Sequence, residues 1–159
     1  MIAKRFEPFW VTKKLTEMTP VEWESICDGC GKCCLQKMID EDTEELFHTN
    51  LSCKQLNIKT CQCNVYASRQ KEVANCITLT PQTIDTFTWL PDTCSYRVLH
   101  ETAELPNWHP LIVGSNKEML RQGLTVRQYA VNEATVNDED WDLHVIKWVH
   151  GLPKPYITE

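Results

Sequence analysis

Nine cysteines occur in 159 residues, and eight of them fall between residues 27 and 76. They run Cys27-x2-Cys30-x2-Cys33-Cys34, then Cys53, then Cys61-x-Cys63, then Cys76, with Cys94 as the ninth. Thiolates two residues apart are a frequent way to supply two of the four ligands of tetrahedral zinc, and both Cys27/Cys30 and Cys30/Cys33 have that spacing. Cys33 and Cys34 are adjacent, so their side chains point in different directions; they suit two centres, or one ligand beside one packed or bridging thiol. Cys61-x-Cys63 carries the same ambiguity. The eight clustered thiols would fill two four-cysteine zinc sites. An iron–sulfur cluster also takes four thiolates, and the first three cysteines match the bacterial run C-x2-C-x2-C-x3-C-P. Lys37 stands where that run requires its fourth cysteine, so Cys53 or Cys76 would have to close the cluster.

Buried thiols can also act as small hydrophobes. Asp28, Gly29, Gly31 and Lys32 interleave the first four cysteines, which argues against that role there, whereas Cys94 between Thr93 and Ser95 reads equally well as a core residue. Six bases and seven acids lie in residues 27–76, but five of those acids form the run Asp40-Glu41-Asp42-x-Glu44-Glu45, leaving the surroundings of the thiols mostly basic. Cations beside thiols lower their pKa and offset thiolate charge. Tyr66 and Arg69, three residues apart and close to Cys63, could both be aimed at a thiolate centre by one turn, with Arg69 donating to metal-bound sulfur. The acidic run lacks the glycine and terminal glutamate of an EF-hand loop, so a solvated turn is favoured over an oxygen-ligand site. His109, between Trp108 and Pro110, and His48, just before Cys53, are the histidines placed for a site role; His144 and His150 read as core or surface residues.

These thiols need irregular backbone to hold them. Thr19-Pro20-Val21-Glu22 predicts a helix to about Ile26, capped by threonine with glutamate three residues on. Asp28-Gly29 and Gly31 then break it, and glycine permits the positive φ a wrapping loop requires. Residues 37–51 suit a hairpin turning through the acidic run. Further helices are expected from Thr80-Pro81, from about Thr93 to Glu101, from Asn116 to Gly123 and from Asn137, with a strand over 124–131. The six tryptophans read first as core. The expected fold is α+β, a small single domain spanning 1–159, with short helices and strands and an irregular metal-binding region over 27–94.

Composition narrows the function. A net charge of −6, most of it from residues 77–159, is unlike that of a chain held to nucleic acid by phosphate contacts. Residues 1–10 carry Lys4, Arg5 and Glu7 with no apolar signal segment, and no run approaches the ~20 apolar residues of a membrane span. The chain is therefore expected in the cytoplasm, where thiols stay reduced and serve metals or catalysis. No phosphate-binding loop, dinucleotide fingerprint, nucleophile elbow or zinc-protease helix occurs.

Cys27-x2-Cys30-x2-Cys33-Cys34, with Cys53-Lys54-Gln55-Leu56, Cys63-Asn64-Val65-Tyr66-x2-Arg69 and Cys76, resembles the CxxCxxCC cysteine-cluster family of zinc- or iron-chelating domains. Cys61-x-Cys63, Arg69-Gln70, Trp89-Leu90-Pro91-x2-Cys94-x-Tyr96-Arg97, Trp108-His109-Pro110-Leu111 and Val126-Arg127 resemble its YcgN-type branch of uncharacterised bacterial proteins. The resemblance covers about residues 5–150 and implies metal binding without supplying a reaction. The leading expectation is a cytoplasmic binding module whose thiolates at Cys27, Cys30, Cys33, Cys53, Cys63 and Cys76, and next Cys34, Cys61 and Cys94, chelate zinc or iron. The second is an iron–sulfur redox or catalytic protein, and the third a thiol oxidoreductase using Cys30/Cys33. The expected partner is a metal ion, with nucleic acid and membrane excluded and a protein partner left open.

Overall fold

A computed structural model describes residues 6–149 and 151–155, the side chain of Val149 excepted. His150 and the basic pair Lys4-Arg5 lie outside the described residues. The chain divides into two compact units, one formed by residues up to Asp28 with Leu79–Glu118 and the other by Gly29–Thr78 with residues from Met119 onward.

The first unit is helical. Thr19 accepts the Glu22 N–H at 3.2 Å while the Glu22 carboxylate accepts the Thr19 N–H at 2.9 Å, and Pro20 opens the helix Pro20–Ile26. This reciprocal cap satisfies two end donors, and the i, i+3 pair Trp23 and Ile26 turns inward. Trp23 donates from Nε1 to the Leu79 carbonyl at 2.9 Å, and the Tyr96 hydroxyl donates to the Trp23 carbonyl at 3.0 Å. Around them pack Met18, Ile84, Leu90, Leu99 and Leu105. Burying a side chain such as Leu99 contributes roughly 1.5–3 kcal/mol. Cys94 is the residue before the helix Ser95–Thr102 rather than one within it, and Ala103 ends that helix at φ +60°.

The second unit carries a mixed sheet. Strands β1 (Leu35–Ile39) and β2 (Leu46–Ser52) form the expected hairpin. Its acidic turn is a backbone device: Asp40 Oδ1 accepts the Asp42 and Thr43 N–H groups, both at 2.9 Å, which holds its carboxyl below the usual range. Two-residue strands β3 (Leu56–Asn57) and β4 (Gln62–Cys63) make a separate hairpin. Strand β5 (Val131–Asn132) runs parallel to β2, while β6 (Val145–Val149) and β7 (Leu152–Pro155) continue the sheet antiparallel in the order β1-β2-β6-β7. Leu35, Leu56 and Val126 are its buried centre, with Cys34, Cys61, Tyr129, Ala130 and Trp148 packed around them.

The α+β class is borne out, and so are the Thr19 cap, the hairpin and the short helix Lys117–Arg121 before Gly123. The expected helix at Thr80-Pro81 is instead a turn followed by one 3-10 turn, Ile84–Thr86. There the Thr80 and Thr83 hydroxyls bond each other at 2.8 Å and Thr83 Oγ1 accepts the Thr80 N–H, closing a local hydroxyl-bonded turn. The strand expected over 124–131 is a 3-10 turn, Val126–Gln128, because the Val126 N–H is drawn to the Cys30 carbonyl at 2.9 Å. The helix expected after Asn137 is 3-10, Asp138–His144. Among the described residues no helix is long and apolar enough to cross a membrane.

Candidate metal centre

The cysteine motif is shared between the units. Cys27 caps the helix Pro20–Ile26 and is exposed, and it belongs with Cys94 to the first unit. Their chain neighbours, Asp28 and Ser95, are buried and joined by a hydrogen bond of 2.6 Å from the Ser95 hydroxyl to Asp28 Oδ2. Ser95→Ala should therefore destabilise the chain by about 1–3 kcal/mol, since a buried carboxylate loses a donor, and urea denaturation would measure it. An unchanged midpoint would show that this bond does not anchor the two segments.

In the second unit Gly31, at φ +80°, starts a 3-10 turn, Lys32–Cys34, that runs directly into β1. The Cys53 N–H donates to the Cys34 carbonyl at 2.8 Å, which fixes Cys53 at the end of β2 against the motif. The β3–β4 hairpin presents Cys63, and a turn after the helix Arg69–Glu72 presents Cys76, whose N–H donates to the Val73 carbonyl at 3.1 Å. These four cysteines all belong to the second unit. Burial first, then the negative charges of Cys63, Cys33 and Cys53, push the Cys76 thiol up, while the Arg69 guanidinium pulls the other way. Arg69 is held in place: its Cζ lies 4.0 Å from the Tyr66 ring centre, and it donates to the Tyr66 carbonyl at 2.8 Å. Lys37 donates to the Leu35 carbonyl at 2.7 Å; burial lowers its ammonium pKa, and Cys33 and Cys34 act against that.

Cys30 and Cys61 lie elsewhere in the same unit. Cys61, at φ +56°, is pushed up by burial, and the Thr125 hydroxyl and the Arg127 and Val126 N–H groups counter that by stabilising its thiolate. The Lys32 N–H reaches Cys30 Sγ at 3.5 Å. Tyr129, whose phenol is raised by burial, feels the charges of Cys30 and Cys61. Lys32 itself is 2% exposed, donates from Nζ to the Gly151 carbonyl at 2.7 Å and lies 5.1 Å from the Trp148 ring centre. Thr125, Tyr129 and Trp148 carried no metal-ligand signal in the sequence; Val126-Arg127, among the residues of the family resemblance, was the nearest pointer.

Among the described histidines, His109 and His144 are engaged in hydrogen bonds of the fold. His109 is fully buried, with Nδ1 accepting the Leu111 N–H at 3.0 Å and Nε2 2.8 Å from the Ile26 carbonyl, so both ring nitrogens are engaged. The His144 ring pairs with Asn50 Oδ1 at 2.8 Å. His48 lies against Trp148, and burial, then Lys37, lowers its pKa from 6.5 to about 4. In the unfolded chain it takes a proton near pH 6.5; in the fold it stays neutral down to about 4. Its contribution to stability is thus complete above pH 6.5 and lost as pH falls toward 4. Urea midpoints of His48→Gln should fall less across that interval than those of the wild type, and parallel curves would contradict this.

The donor chemistry fits a zinc or iron ion, since thiolates ligate both and Cys33, Cys53, Cys63 and Cys76 belong to one unit. Among the described residues, no three Cys, His, Asp or Glu side chains converge at ion-holding separation as they stand.

A family model for CxxCxxCC proteins, described as a "Putative zinc- or iron-chelating domain", matches residues 26–95. A UPF0260 protein of Pectobacterium atrosepticum is 53% identical over 139 residues, 87% of this chain and 93% of its own. A UPF0260 protein of Marinobacter nauticus is 49% identical over 142 residues, covering 89% and 96% of the two chains. The UPF0260 protein YcgN of Escherichia coli is 52% identical over 139 residues, covering 87% and 90%. No solved structure matches. With cysteine segments of this kind and relatives this similar over nearly their whole length, the chain belongs to the UPF0260 family of CxxCxxCC cysteine-cluster proteins.

Proposed function

We propose that the protein is a cytoplasmic metal-binding module in which Cys33, Cys53, Cys63 and Cys76 chelate a zinc or iron ion. One observation carries this reading: the family model for zinc- or iron-chelating domains covers residues 26–95, and with them all four of these cysteines, which belong to one compact unit. Four thiolates close a tetrahedral site, and a closed site is structural, not catalytic. Arg69, braced on Tyr66, supplies positive charge to that centre, as groups around a metal's ligands commonly do. Loading draws the sulfurs together, and the segments that move are the turn of Cys76, the two-residue hairpin of Cys63 and the 3-10 turn of Cys33.

Elemental analysis of protein purified anaerobically tests the assignment. Stoichiometric zinc in a colourless protein is the expected result, and stoichiometric iron without labile sulfide supports the same site. A brown protein bleached by dithionite would replace this reading with an iron–sulfur protein. Metal far below one ion per chain after reconstitution under reducing conditions would overturn it.

A further inference from the structure

Strand β1 meets β2 with Leu35 opposite Ser52, and one step beyond that pair stand Cys34 and Cys53. The Cys53 N–H donates to the Cys34 carbonyl at 2.8 Å. That bond and standard backbone lengths keep the two Cα atoms within ~6.7 Å of each other, and opposed residues of a hydrogen-bonded antiparallel pair stand at about 5.5 Å. Disulfides form across Cα separations of about 4.4–6.8 Å. Glu133, just after β5, braces the same place: its carboxylate accepts Gln36 Nε2 and the Lys54 N–H, both at 2.9 Å, so the segments that follow the two cysteines are tied to one side chain. Neither cysteine is in a disulfide, and both are half-buried.

We propose that Cys34 and Cys53 are a redox pair that glutathione disulfide closes to a disulfide, and that closure takes Cys53 away from the metal centre. Only the second half rests on the metal-binding reading above; the pair itself follows from the backbone bond and the strand register. Cys34 is not among the four ligands assigned there, so its thiol is the one left for exchange. The Cys34 sulfur attacks glutathione disulfide, giving a Cys34–glutathione mixed disulfide and one reduced glutathione. The Cys53 sulfur then attacks the Cys34 sulfur, and the second glutathione leaves. Two cysteine thiols give up two electrons, one glutathione disulfide takes them, and the two thiol protons end on the two glutathione thiols. In the loaded protein Cys53 leaves the ion as a thiolate, and the second glutathione draws its proton from solvent. The backbone bond and the Glu133 brace hold the two residues together beforehand, which favours the intramolecular step. Cytoplasmic disulfides are typically transient and redox-sensing, and exposed ones are readily reduced again. The adjacent residues Cys33 and Cys34 thus divide into a ligand and a redox thiol.

Equilibrating the metal-free full chain with mixtures of reduced and oxidised glutathione, trapping the remaining thiols by alkylation and weighing the tryptic peptides tests the pair. Residues 33–37 should be found linked to residues 38–54, with fragment ions placing the bridge on Cys34 and not Cys33. That assignment is made on the wild type and does not depend on a variant folding. Cys33→Ser should keep the link, and Cys34→Ser should lose it. Competition against a chromophoric chelator then reads the coupling: the bridged chain should bind zinc about 10²–10³-fold more weakly than the reduced chain, the loss of one thiolate in four. Cys34→Ser should bind zinc as the reduced wild type does, before and after the glutathione treatment. Cys53 found linked chiefly to another cysteine, or to glutathione alone, overturns the pair. A chain that carries the Cys34–Cys53 bridge and binds zinc undiminished overturns the coupling. No zinc uptake by the reduced wild type overturns the metal reading and the coupling with it, while the peptide map still decides the pair.

Discussion

Cys76→Ser is expected to lower the affinity of the proposed four-thiolate centre for zinc by roughly 10²–10³-fold, because structural zinc binding worth about 10–16 kcal/mol spread over four thiolates is about 2.5–4 kcal/mol for each. The metal-free fold should hardly notice the change. Cys76 lies on a turn after the helix Arg69–Glu72, is partly exposed, and contributes to neither apolar cluster. Competition against a chromophoric chelator measures the affinity, and urea denaturation of the metal-free chain measures the fold. A loss of stability without a loss of affinity would show that Cys76 is a packing residue. The pH dependence adds a second readout. Burial and the neighbouring thiolates hold the Cys76 proton on, so the metal must displace it. Wild-type affinity should therefore rise with pH, by about tenfold per unit for each proton displaced, and the serine variant should show a shallower slope.

That the chain belongs with the cysteine-cluster domains could be read from the sequence, whereas the placement of the individual cysteines could not. The C-x2-C-x2-C-C spacing, the two glycines and the lysine between the cysteines all point to ligands, and the Thr19 cap and the acidic hairpin turn are local devices that a sequence displays directly. The sorting of sulfurs into groups depends on tertiary contacts. Cys27 is three residues from Cys30, yet the two belong to different compact units. Cys33 and Cys76, 43 positions apart, belong to the same unit. The strand expected over 124–131 is not formed. Val126 and Val131 have the side chains of a strand, but the Val126 N–H donates to the Cys30 carbonyl, and the backbone from there forms a 3-10 turn. Of the two readings of Arg69, the stacking on Tyr66 is what the structure shows, and a role toward metal-bound sulfur belongs to the proposed centre.

Gly31→Ala should be among the most damaging single-methyl changes in the chain, and Gly29→Ala three positions before Lys32 should be mild by comparison. Both glycines have left-handed backbone, φ +75° at Gly29 and +80° at Gly31, so alanine at either costs about 1–2 kcal/mol from that conformation alone. Their surroundings differ. A Cβ on Gly29 meets nothing within 4 Å, whereas one on Gly31 would stand 2.7 Å from Val126 Cγ2, 3.6 Å from Cys61 Cβ and 3.7 Å from Leu56 Cδ2. Val126 and Leu56 are buried at the centre of the second unit, and overpacking there adds about 1–3 kcal/mol, for a total of about 2–5 kcal/mol at Gly31. Urea denaturation of the two variants gives the difference directly, with Gly29→Ala removing the shared backbone cost. Equal midpoints would mean that Val126 yields without strain. Where the clash is real, adding Val126→Ala to Gly31→Ala should recover part of the lost stability, because it removes the atom that is struck.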